Sequence, residues 1–186
     1  MSDDYDSIPT FPMLTPRLQD ILIIRIESVL DCLDEAFQLH DTGIHDLGDT
    51  ISRASEALTD FLLEVGTFRD RDSLPLGDFM AACVITIAQA PGTHHDKEAE
   101  RLIPACFTPR YRAMVLENEA ALMTIAEEVV QLYMRDEADP PDIVPFTVDR
   151  FCEHLTTKGI KVSQAFRRAV TDYVLLGTLY HLFLNM

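Results

Sequence analysis

The segment Ser163–Met186, SQAFRRAVTDYVLLGTLYHLFLNM, decides the fold class. From Tyr173 to Leu184 only Thr178 and His181 interrupt the apolar residues, so a helix formed here has no polar side to offer water and must be enclosed. The uninterrupted run is about half of the ~20 residues that a bilayer span requires. Cover is therefore expected from other helices or from a second copy of the chain, and no membrane span is expected. His181 reads as a core histidine donating to a backbone carbonyl.

A second segment of the same kind, LGDFMAACVITIAQA at 76–90, is apolar on nearly all sides, with alanines that allow close helix approach. Phe79, Val84 and Ile87 on this segment, with Tyr173, Leu176, Tyr180 and Leu184 on the last one, are the expected central contacts or interface. Between these segments the periodicity predicts amphipathic helices. Leu18, Leu22, Ile26, Val29, Leu30, Leu33 and Phe37 recur at three- and four-residue steps in one helix predicted from Pro16 to about His40. Thr15-Pro16 supplies its start, a hydroxyl cap followed by proline where no backbone donor is lost. A helix from Asp49 or Thr50 to about Gly66 follows, with Ile51, Leu58, Phe61, Leu62 and Val65 inward. Thr108-Pro109 opens a long helix to about Glu137, and ADPPDIVP is read as a break before a helix that starts at Phe146 or Thr147 and stops at Gly159. The expected architecture is all-α, a compact bundle of about six to seven helices. Residues 1–14 form an acidic, proline-containing arm and 15–186 a single domain.

An offset of 93 residues, half of the 186-residue chain, lays TPRL (15–18) on TPRY (108–111). The same offset lays Glu35, Gln38 and Leu39 on Glu128, Gln131 and Leu132, Leu62 on Leu155, and Gly66 on Gly159. Identities gather at helix starts and ends, where an internal repeat shows first. The bundle is thus expected to divide into two three-helix halves, 15–93 and 108–186, related by a pseudo-two-fold axis. Arg25 and Glu119 each fall in the apolar arc of their long helix, one residue apart in the repeat frame. A buried charge is tolerated mainly when paired, so the two are expected to form a buried polar pair.

Composition narrows function by exclusion. The 31 acidic and 15 basic side chains give a formal charge of -16, which repels phosphate backbones and argues against nucleic acid as a partner. Cys32, Cys83, Cys106 and Cys152 are widely spaced with no C-x-x-C pair, and the opening MSDDYDSIPTFPML lacks the basic and apolar regions of a secretory signal. Free thiols and a cytoplasmic setting are the expectation. No Gly-rich phosphate loop or G-x-S-x-G elbow occurs, and no glutamate stands three residues before any histidine, as a di-metal bundle needs.

His94, His95 and Asp96 are the candidate metal ligands. A histidine, an His-Asp pair and a distant aspartate make up the ligand set of HD phosphohydrolases, in which metals activate water. There the pair sits in an apolar helix, whereas GTHHDKEAE here is hydrophilic. The leading expectation is a non-enzymatic helical protein–protein interaction module, an adaptor, scaffold or regulatory subunit, with an acidic surface, no cofactor, and a protein partner bearing a basic surface, or a homodimer. The alternatives are a metal-dependent hydrolase using His94, His95 and Asp96, and a helical binder of an apolar small ligand lined by Met80, Cys83, Tyr173 and Tyr180.

Overall fold

The computed structural model describes residues 14–88 and 109–186. Among these residues all regular structure is helical: α1 (Pro16–Ile24), α2 (Ile26–Asp41), α3 (Leu47–Glu64), a single 3₁₀ turn (Asp70–Asp72), α4 (Ser73–Ala88), α5 (Pro109–Glu117), α6 (Glu119–Met134), α7 (Pro140–Thr157) and α8 (Gln164–Leu184). The chain separates into two compact units. One takes α1–α4 together with the chain from Leu179 onward, the other takes α5–α7 and α8 as far as Thr178.

The helix starts follow from local chemistry. The Thr15 hydroxyl accepts from the Leu18 N–H at 3.3 Å, with Pro16 opening α1. Asp46 accepts from the Asp49 N–H at 2.8 Å while Asp49 accepts from the Asp46 N–H at 3.3 Å, a reciprocal box at the start of α3. At α7 the Asp142 carboxylate reaches back to the Asp139 N–H at 3.1 Å. Ser163 accepts from the Phe166 N–H at 3.1 Å and so caps α8.

The two expected long helices are each broken, which brings the helix number to eight. Arg25, at φ −101° and ψ 27°, separates α1 from α2, and Asn118, at φ −119° and ψ 17°, separates α5 from α6. The first break lies in a run of β-branched residues, Ile21, Ile23, Ile24 and Ile26, whose restricted χ1 weakens a helix. At the second the side chain competes with the backbone: the Asn118 amide donates to the Met114 carbonyl at 2.8 Å, and its oxygen accepts from Lys158 Nζ at 2.9 Å. The start of α7 also differs from expectation, at Pro140 instead of Phe146 or Thr147. Pro140 and Pro141 lie in the first turn, where no donor is needed, and Pro145 leaves only one carbonyl near the helix start without its backbone partner.

Every helix bound of the first set recurs 93 residues later: α1 with α5, α2 with α6, and α3 with α7. The connections recur as well. Gly43 and Asp136 both hold positive φ, 75° and 57°, and Gly66 and Gly159 do so at 71° and 80°. After α3 the N–H groups of Gly66 and Thr67 bond the Leu63 and Leu62 carbonyls at 3.1 and 2.9 Å; after α7 those of Gly159 and Ile160 bond Thr156 and Leu155 at 2.9 and 3.0 Å. These are paired Schellman closures.

The buried faces follow the predicted stripes. Leu18, Leu22, Ile26, Val29, Leu30, Leu33 and Phe37 are all buried. On α3 the inward line is Thr50, Ala54, Leu58 and Leu62, one residue to the side of the expected Ile51, Phe61 and Val65. Its counterpart on α7 is Ile143, Thr147, Phe151 and Leu155. No residue from Leu76 to Ala88 is exposed, and from Ala169 to Tyr180 only Gly177 is. A buried carboxylate fixes the corner before α4: Asp72 accepts from Arg17 Nη1 at 2.8 Å and from the Arg69 N–H at 2.9 Å, while Arg17 also donates to the Thr67 carbonyl.

A Cβ built on Gly66 or Gly159 meets nothing within 4 Å, so only backbone strain opposes a side chain there. Gly66→Ala and Gly159→Ala are each expected to lower unfolding free energy by about 1–2 kcal/mol, measured by urea denaturation, and by similar amounts because they close the same motif.

Candidate interaction surface

Helix α6 is the element whose side chains are least accounted for by the fold. Its sequence, EAALMTIAEEVVQLYM, is strongly apolar, yet only Leu122 and Val129 are buried. Its counterpart α2 buries seven residues: Ile26, Val29, Leu30, Cys32, Leu33, Ala36 and Phe37. At 100° per residue, Ala120, Met123, Val130 and Met134 fall along one side of α6, away from Leu122 and Val129; Leu116 belongs to α5, beyond the Asn118 break. Leu116, Met123 and Met134 are exposed, Ala120 is exposed and Val130 is half-buried. Glu119 and Glu127 lie on the same side, and α6 contains no Lys or Arg. Glu128, further round, pairs with Arg150 of α7 at 3.7 Å.

A shallow depression of about 670 Å³ lies in the same unit, between the end of α7 and the start of α8, lined by Asp149, Cys152, Thr156, Ser163 and Arg167 among others. Its polar groups are already committed. Arg167 pairs with Asp149, and the Ser163 hydroxyl caps α8 and meets the Tyr111 hydroxyl at 3.2 Å. Burial pushes the Cys152 thiol up, against the opposing pull of the Arg167 guanidinium, so the thiolate needed for nucleophilic attack is scarce at neutral pH.

The expected site residues fall as follows. His94, His95 and Asp96 lie outside the described residues. Among the described residues no three His, Cys, Asp or Glu side chains gather as a metal-binding group. Arg25 and Glu119, expected as a buried polar pair, are both exposed and belong to different units. Each stands at a helix break, so the arc drawn for an unbroken helix does not hold there. Glu119 acts instead on Tyr173, whose hydroxyl is pushed up first by burial and then by that carboxylate. Phe79, Val84, Ile87 and Leu176 are buried, Tyr173 and Tyr180 half-buried, and Leu184 exposed. Met80 and Cys83 are also buried. His181, read as a core residue, is exposed at the last turns of α8. The open side of α6 was not foreseen; the signal available was its excess of apolar residues over a single stripe.

No helix among the described residues is long and apolar enough to cross a membrane. Compared with known proteins, the chain matches no family model, no curated protein and no solved structure.

Cys32, Cys83 and Cys152 are buried and form no disulfide. Burial first, and the carboxylates of Glu35 and Asp31 second, push the Cys32 thiol up to about 11 from its ordinary 9.0. Between these values the folded chain holds a proton that the unfolded chain has lost, so this thiol's contribution to stability declines as pH rises through that window. In urea denaturation from about pH 8.5 to about pH 10.5, a Cys32→Ala variant is expected to show a shallower fall in stability than the parent. Parallel slopes would remove Cys32 as a contributor.

Proposed function

We propose that this chain is a non-enzymatic helical interaction module, an adaptor or regulatory subunit, made from one helical unit used twice and acting through protein contact. The observation that carries this reading is the open apolar side of α6. Met123 and Met134 stand in water on the side of α6 that also carries Glu119 and Glu127, in a chain of net charge -16. Exposed apolar side chains in line on one helix, rimmed by charge, are the usual composition of a contact surface. The acidic exterior favours a partner with a basic surface and acts chiefly on the rate of encounter. Support for the doubled unit comes from the helix bounds, capping carboxylates and left-handed residues that recur at a spacing of 93. On this reading a pseudo-two-fold axis relates the halves.

Two measurements test the two parts. A photo-crosslinking residue at position 123, in the full chain expressed in its native host, is expected to yield a discrete protein adduct. The adduct should weaken when the extract is brought from about 50 mM to about 500 mM salt before irradiation. The same residue at the exposed position 60 should give none, and silence at 123 would sink the contact reading. For the doubled unit, spin labels at the exposed positions 31 and 153, and separately at 60 and 124, are expected to report the same distance distribution, because a two-fold axis exchanges the two pairs. Different distributions would refute the axis.

A further inference from the structure

The repeat shows what kind of object suits the open side of α6, because two of its positions, Met123 and Val130, correspond to the covered Leu30 and Phe37 of α2, while Met134 corresponds to the exposed Asp41. Adding 93 takes Ile23, Leu30 and Phe37 to Leu116, Met123 and Val130. The first three are 9%, 7% and 6% exposed, whereas Leu116 is 36% and Met123 53% exposed, with Val130 half-buried. In the unit that holds α2, the ring of Phe37 packs on the ring of Phe183 with centroids 5.2 Å apart and planes at 53°. Phe183 belongs to the last turns of α8. This α2 position is met by a helix carrying a bulky apolar side chain.

The two versions of the face differ in charge as well as in cover. The α2 face carries Glu27 and Asp34, and at the second of these positions α6 keeps an acid, Glu127. Glu119 adds another beside the line, and with no Lys or Arg between Glu119 and Met134 nothing on α6 neutralises them. Two of the exposed apolar residues are methionines, whose flexible thioether chains adapt to differently shaped partners. A second copy of the chain, itself at -16, would bring acid against acid.

We infer that the side of α6 formed by Met123, Val130 and Met134 is a docking face for a basic amphipathic helix of a partner protein, which occupies on α6 the place that the end of α8 occupies on α2. The inference rests on the contact reading above and names the partner's chemistry. Apolar side chains of the partner helix at i, i+3/i+4 and i+7 would lie along the methionines. Its lysines or arginines would face Glu119 and Glu127.

The test is a titration of the full chain, carrying ¹³C-methyl methionine, with a synthetic amphipathic helix of about 18 residues, leucine on one face and lysine on the other. The Met123 and Met134 methyl signals are expected to shift together on one binding curve while that of the buried Met80 stays still. A Met123→Glu, Met134→Glu double variant, checked for helical content, is expected to bind at least about tenfold more weakly, a loss of about 1.4 kcal/mol. It adds two negative charges, so attraction by charge alone would make it bind as tightly or more tightly, and that result would overturn the inference. Leu63→Glu, on an exposed position of the other unit, should leave the affinity unchanged. Peptide bound with Met123 and Met134 unmoved overturns this placement while leaving the contact reading intact, and no binding overturns the basic-helix occupant. A dimer by sedimentation whose methionine signals shift on dilution would assign the face to a second copy and equally overturn it.

Discussion

Two apolar stretches, α4 and the second half of α8, set the terms for this chain. Each must be largely covered, because every Å² of apolar surface left to water costs roughly 25 cal/mol, and from Tyr173 to Leu184 only Gly177, His181 and Leu184 are exposed. The amphipathic helices exist to meet that requirement. Their stripes, Leu18 to Phe37, Thr50 to Leu62 and Ile143 to Leu155, are buried along their length, and their other sides carry acids. Two buried polar side chains are matched to partners: Asp72 by Arg17 and the Arg69 N–H, and Asn118 by Lys158 and the Met114 carbonyl. Unmatched, each would cost on the order of 1–3 kcal/mol.

On the proposed reading of a doubled unit, the two halves need not be used identically. The pairs α1/α5, α2/α6 and α3/α7 share their bounds, yet their side chains have diverged. The capping carboxylates and the left-handed residues are kept because backbone geometry tolerates few replacements there. Face residues are freer. Phe37 is answered by Phe183, while Val130 and Met123 carry no such cover. Helices with matching bounds thus differ in which face is enclosed.

The helix breaks show where reading along the chain goes astray. Three- and four-residue spacing runs through Arg25 and through Asn118 without interruption, so the pattern alone joins α1 to α2 and α5 to α6. At Asn118 the break depends on Lys158, forty positions away, which no local pattern contains. The exposure of Arg25 and Glu119 is a consequence, since a helix that changes direction turns the following residues away from the arc drawn for a straight one. The start of α7 was legible by a different route. Asp139 and Asp142 repeat the spacing of Asp46 and Asp49, and that signal outweighs the prolines, which at a first turn are compatible with helix.

By itself the sequence determined the all-helical class, most helix starts and ends, and the stripe that runs along α1 and α2. These rest on interactions within a few residues: a hydroxyl or carboxylate reaching the third N–H, a glycine accepting positive φ, apolar side chains one turn apart. Only the tertiary structure decided which apolar faces are enclosed. Leu30 and Met123 stand at the same place in the repeat and are equally apolar, but burial is set by what arrives from distant parts of the chain, and only the α2 face is covered.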